Sequence, residues 1–257
     1  MQKDIRKQAA ELADKYCRSK YAYFFPKIKE GFSERFSSWV VQLFQESLGS
    51  KEDGLPVKTT CSSENKNDLF QPVELKLEIS DPVVSLIAEM YFFQTFIAFY
   101  SALKKINFVD QDYVEKYKDQ MRCLEGKDSN SISTLDLGQV IKAVKENIAL
   151  NHKFIEVVLY FYPDKKLTAK VNKIFCENFK ERSIFVFVGS DWNHHSYQAA
   201  FGDKNTFYVF LQADSYETKF LPFLEKTLNG NVDTLKTISK ATYLTLKNKS
   251  VLFSIPR

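Results

Sequence analysis

The stretch FVGSDWNHHSYQAAF, residues 187–201, holds two of the three histidines, one of the two tryptophans and a nearby carboxylate. Asp191 with His194 and His195 has the residue types of a general base and its orienting acid, or of part of a metal centre. In extended chain, adjacent side chains point to opposite faces, so His194 and His195 cannot share one ion without a turn. Nothing beside them supplies a nucleophile or an oxyanion site. The four cysteines, Cys17, Cys61, Cys123 and Cys176, lie far apart, with no C-x-x-C pair and no histidine at metal spacing. Cys176 sits next to the apolar face of a helical stretch and reads as buried filler. The phosphate-binding P-loop pattern, the dinucleotide-binding glycine triplet and the Gly-x-Ser-x-Gly elbow are all missing from the sequence. No cofactor and no metal are therefore expected.

Those residues must be positioned by a chain of 257 residues, 44% hydrophobic and 26% charged, which fits one large or two smaller globular domains. Aromatics reach 15%, so the cores are expected to be packed with phenylalanine. The net charge of +4 is mild and is carried mainly by lysine, the residue less suited to bidentate reading of phosphate and base edges. A nucleic-acid partner is not indicated. The opening MQKDIRKQAAELADKYCRSK is charged throughout and has no apolar signal core. Widely spaced cysteines fit a reducing compartment, and a cytoplasmic location is expected.

Periodicity predicts a helix over residues 3–18. A second, strongly amphipathic helix has Ile28, Phe32, Phe36, Trp39, Val40, Leu43, Phe44 and Leu48 on one stripe and Gly49 as its stop. Residues 50–72 are polar and read as a long loop, and VELKLEI alternates as a short strand. Asp81 and Pro82 open a helix that is apolar on nearly all faces to Leu103. Its length would span a bilayer, but Glu89 and several hydroxyls favour a buried central helix. Two further helices flank CLEGKDSNSISTLDL, which has the rhythm of an EF-hand loop. In that register Lys127 stands at a ligand position and Asp136 replaces the bidentate glutamate, so any such loop is dead.

Beyond residue 150 the texture changes. FIEVVLYFYP is β-forming, and KKLTAKVNKIFCENFKER is helical with Leu167, Val171, Ile174, Phe175 and Phe179 on one face. SIFVFVG, SYQAAF and TFYVFLQ read as three strands of an antiparallel meander, parted by SDWNHH and GDKN. Helical pieces follow, the first broken near Pro222, and a last hairpin turns at KNKS. The expected fold is α+β: a helical N-terminal domain, 1–150, then an antiparallel sheet with flanking helices, 151–257.

The run AKVNKIFCENFKERSIFVFVG, then DW, then SYQAAFGDKNTFYVFLQ resembles the core of the dynein light chain family, over about a fifth of the chain. Ala169, Val171, Lys173, Phe175 and Phe179 fall where that family's helix carries similar residues. Val188 and Gly189 close its first strand, Trp192 replaces a phenylalanine, Ser196–Tyr197 match its Ser-Tyr pair, and Phe207 and Phe210 match later aromatics. The resemblance implies an edge strand at a dimer interface that accepts an extended partner segment. Trp192, His195, Ser196, Tyr197, Gln198 and Ala199 would line the edge, with Phe207 and Val209 beneath. The long helical half is foreign to simple light chains. EF-hand and light-chain-like parts together resemble flatworm tegumental antigens.

The expected role is that of a non-catalytic adaptor or assembly subunit. It would bind a protein partner, or a second copy, through a sheet edge or an aromatic helical surface, without inserting in a membrane. The alternative is a small-ligand-binding protein or hydrolase-type enzyme using Asp191, His194 and His195.

Overall fold

The computed structural model describes residues 1–28, 32, 34–49, 54–58, 72–73, 75–76, 78–109, 113–124, 132–161, 165–214 and 225–256. They belong to two units. One contains Met1–Thr60, Lys66–Asp112 and Gln198–Asp203, and the other contains Tyr113–Tyr197 and Lys204–Arg257. The helices that follow residue 112 thus belong with the sheet, apart from the one over 197–202, which falls almost wholly in the first unit.

In the first unit, α1 (Gln2–Arg18) buries Ile5, Ala9, Ala13 and Tyr16, a stripe of one side chain per turn. β1 (Phe25–Pro26) pairs in parallel with β2 (Pro72–Val73), with α2 (Glu34–Leu48) between them in sequence. Among the described residues of the alternating strand expected over 73–79, Val73 is in a strand and Leu75, Lys76, Glu78 and Ile79 are not. Then comes α3 (Pro82–Lys104), and its start was legible. The Asp81 side chain accepts from the N–H groups of Val83 and Val84, and Pro82 needs no partner at the first position. Lys105, at φ 56°, turns left-handed and ends it. The core is aromatic: the Phe24 ring stacks on Phe44 at 4.4 Å and tilts against Phe96 at 4.6 Å. One described helix, α3, is long and apolar enough to cross a membrane, and 44% of that stretch is buried against protein.

The second unit opens with α4 (Val114–Leu124) and α5 (Leu137–Asn147). Residues 125–131 of the EF-hand-like loop lie outside the described residues. Asp136, aligned there as a ligand, instead caps α5: it accepts from the Gln139 N–H at 2.8 Å, and Gln139 Oε1 accepts from the Asp136 N–H at 2.9 Å. β3 (Phe154–Tyr160), α6 (Lys165–Asn178), β4 (Ser183–Val188), α7 (Gly189–His195), α8 (Tyr197–Gly202), β5 (Thr206–Ala213), α9 (Glu225–Leu246) and β6 (Ser250–Ile255) follow.

The sheet order is β4-β3-β5-β6, and every neighbouring pair is parallel. The mixed α+β class holds, but the antiparallel meander does not. SDWNHH and SYQAAF are the helices α7 and α8, so 196–201 is not a strand at all. The physical reason is connectivity: β4 and β5 run parallel on opposite sides of β3, so the chain must cross over from one to the other, and residues 189–205 do so. A second sign is burial. Every residue of β3 and β5 is buried, as in strands covered on both faces, whereas a half-solvated antiparallel strand would alternate. The last hairpin is also corrected: Ala241–Leu246 closes α9, and after a 3-10 turn at Lys247–Lys249 β6 pairs in parallel with β5. Pro222 lies outside the described residues.

Ile155, Val157, Leu159, Val209 and Leu211 face a core shared with Val140 and Val144 of α5 and Val171 and Phe175 of α6. The alternate side chains meet α7 and α9 on the other face. The unit is a three-layer α/β/α arrangement.

Candidate interaction site

Helical geometry reorganises the histidine segment. α7 begins where β4 ends, at Gly189, where a β-carbon would lie 2.4 Å from the Tyr160 ring. That close approach requires glycine. Trp192, three residues on, is fully buried and donates its indole N–H to Glu156 Oε2 at 2.7 Å. Glu156 is itself buried in mid-strand β3, and a bond from a neutral donor to such a group stabilises by about 1.5–3 kcal/mol when it is charged.

Beside this pair runs a chain of hydroxyls and an amide. Tyr160 donates to Asn193 Oδ1 at 2.5 Å, and Asn193 Nδ2 donates to Thr242 Oγ1 at 2.7 Å. Thr242 in turn donates its hydroxyl to the Ile238 carbonyl at 2.7 Å. Tyr197 donates to Thr245 Oγ1 at 2.9 Å, which donates to the Thr242 carbonyl at 2.7 Å. Burial pushes the Tyr160 and Tyr197 hydroxyls well above the ordinary tyrosine range, so both remain protonated donors. This end of the sheet is where parallel folds place ligands, beyond the strand ends at the switch in strand order between β3 and β5. Here the described side chains fill that end and satisfy one another.

Most of the residues named from sequence are therefore buried, and they are divided between the two units, Gln198 and Ala199 in the first and the others in the second. Ser196, Gln198 and Ala199 are buried along with Trp192 and Tyr197, and Phe207 and Val209 are buried within β5. Gln198 donates to the Glu46 carbonyl at 3.0 Å, and Ala199 packs against Gly49. None of them offers an edge. His195 is half-buried, its Nδ1 lying 2.6 Å from Ser196 Oγ. That is formally a base beside a hydroxyl, but Ser196 is 3% exposed and out of a substrate's reach. Asp191 and His194 are exposed on α7. Among the described residues, no three His, Cys, Asp or Glu side chains form a metal-binding group.

A second buried polar cluster lies in the first unit. Lys58 Nζ is 3.5 Å from Asp203 Oδ2, each side chain 3% exposed, and the Tyr23 hydroxyl also donates to Asp203. The Lys58 ammonium lies 5.2 Å from the Tyr23 ring centre. Breaking such a pair leaves a buried charge and costs about 3–5 kcal/mol, so the cluster reads as a structural tie. Elsewhere, a shallow groove of about 390 Å3 runs between α5 and α6, lined by Ile141, Ile174, Lys142 and Lys145.

The open feature is β4. The Ser183 N–H donates to the Lys153 carbonyl at 3.2 Å, so Ser183, Phe185 and Phe187 turn their main-chain groups toward β3. Ile184 and Val186 turn theirs outward, and no described residue bonds them. The strand carries no charge, no proline and no bulge, the devices that protect natural sheet edges. Sequence reasoning placed the edge at 196–201 because the light-chain resemblance puts its Ser-Tyr strand there, whereas 197–202 is helical. The uncharged run SIFVFV was the signal on offer.

No protein family, no curated protein and no solved structure matches this chain.

Proposed function

We propose that the chain is a non-catalytic cytoplasmic adaptor or assembly subunit that takes up an extended segment of a partner protein along the outer side of β4. One observation carries this reading: Ile184 and Val186 present unpaired main-chain N–H and C=O groups, among the described residues, on an uncharged strand. An added strand would gain main-chain hydrogen bonds there, and side chains alternating about it would meet Ile184 and Val186 on one face and Phe185 and Phe187 on the other. The adaptor role agrees with the resemblance to dynein light chains, with β4 taking the place of the Ser196–Tyr197 segment. The free thiols of Cys17, Cys123 and Cys176 support a reducing compartment.

Peptide display against the full chain should select extended segments with alternating apolar residues. Val186→Pro deletes an outward N–H, a position where edge strands tolerate proline, and should abolish their binding in a protein that stays folded. Selected peptides that bind the folded Val186→Pro protein as tightly as the parent would sink the proposal.

A further inference from the structure

The basic charge of this chain is gathered on one layer of the second unit. α5 and α6, which pack against each other on the same face of the sheet, hold six lysines and two glutamates, all exposed. That excess of four equals the formal net charge of the whole chain, so the rest of the sequence is balanced. One of the two glutamates, Glu177, already lies 3.9 Å from Lys173. Between the helices runs the groove of about 390 Å3, a volume at the lower end of binding pockets. Ile141, 5% exposed, and half-buried Ile174 form its floor, and Lys142 and Lys145 stand along its α5 side. Among the described residues, no carboxylate lines it.

The two lysines are held differently. Lys145 donates to the Asn178 side chain at 2.9 Å and lies 5.8 Å from the Phe179 ring centre, so it spans the end of the groove. Lys142 forms no hydrogen bond or ion pair among the described residues. Side chains three apart on a helix stand about 5–6 Å from each other at their β-carbons. Carboxylates three or four residues apart on a second helix have the same spacing. We infer that this groove takes an acidic amphipathic helix of a partner protein, which sets a bulky apolar side chain on Ile141 and Ile174 and carboxylates against Lys142 and Lys145.

Charge and shape together select this occupant over other anions. Nucleic acids are read by arginine forks and by aromatic platforms, and α5 and α6 contain no arginine and no exposed ring. An anionic membrane is gripped by apolar side chains that protrude from a basic face. None of the exposed large apolar side chains among the described residues lies on α5 or α6. Their apolar atoms are recessed between the helices, where only a side chain projecting from the partner reaches them. A helix seated there uses none of the main-chain groups of β4, so the inference does not rest on that edge.

The probe is a fluorescein-labelled helical peptide of glutamate, alanine and leucine, with its leucines on one stripe and glutamates beside them. Its anisotropy with the full chain at low salt should report a Kd in the micromolar range that weakens as salt is added. Lys142→Glu should weaken binding by at least about tenfold while keeping the parent's circular dichroism. Lys165→Glu, the same reversal on an exposed lysine of α6 outside the groove, should change it by less than about twofold. Should Lys142→Glu fold poorly, Lys142→Gln decides in its place, with a smaller loss that Lys165→Gln does not share. Changing the peptide's leucines to alanine should abolish binding, and Val186→Pro should leave it intact. A parent chain that does not move the peptide's anisotropy overturns the inference. So do equal losses at Lys142 and Lys165, an all-alanine peptide that binds as tightly, or loss of binding in Val186→Pro. Co-sedimentation with phosphatidylserine vesicles that Lys142→Glu abolishes and Lys165→Glu spares would assign these lysines to lipid and overturn it equally.

Discussion

β4 and β6 each have a single strand neighbour in the same sheet, but their outer sides are treated differently. Along β6 the chain returns to tie the edge at one residue, Ser254. The Leu135 N–H donates to the Ser254 carbonyl at 2.8 Å, and the Ser254 N–H donates to the Ser133 carbonyl at 3.1 Å. Along β4 the corresponding groups of Ile184 and Val186 meet no described residue. Both strands are largely apolar, so composition does not separate them. What separates them is the segment before α5, which lies beside one edge and not the other. An unpaired row of main-chain groups is a template for another chain, and a fold that ties one edge at Ser254 while leaving the other bare offers the barer side to a partner.

The largest test of this contrast is Phe185→Pro. It removes a donor that faces β3 and a buried ring, and should cost at least ~3 kcal/mol in denaturant unfolding. Val186→Pro, one residue on, should leave the protein folded. Equal stability of the two variants would show that the assigned outward side is wrong. On the tied edge, Leu135→Pro should destabilise by about 1–3 kcal/mol, because it strands the Ser254 carbonyl, and should leave peptide binding at β4 untouched. Loss of that binding would mean that the two edges are coupled. Val186→Lys places a gatekeeping charge on the bare edge. It should cost about 1 kcal/mol and slow aggregation on mild heating, read by light scattering.

The smallest effect concerns the network that ties α7 to the end of β3 and to α9. Burial raises the Tyr160 and Tyr197 hydroxyls, so their contribution to stability is complete below the unfolded value near pH ~10 and is lost as pH rises beyond it. Melting temperature should be level up to about pH 9 and fall above 10. Tyr160→Phe should flatten part of that fall. An unchanged alkaline slope in that variant would place the titrating groups elsewhere.

Much of the local structure was legible. Asp81 and Pro82 announced α3, and the apolar spacing through Val171 and Phe175 announced α6. The error lay in SYQAAF, which was counted as a strand between two strands although Ala199 and Ala200 favour helix as readily. The polar core was not legible either. Glu156 and Trp192 sit on different elements, as do Asn193 and Thr242, and no local pattern links such pairs. Even Asp136 looked like a ligand until its neighbour Gln139 completed a cap.

By itself the sequence determined the long amphipathic helices and the apolar runs of β3, β4 and β5, because those depend on periods of 3.6 and 2 within a few residues. It also determined that β4 would carry no charge. Only the tertiary structure decided that all four strands run parallel, that 189–202 is a crossover, and that α3 keeps an apolar face in solvent. Those outcomes depend on which distant segments pair and which face each covers. Pairing is decided by the burial of whole layers, and no short window of residues contains that information.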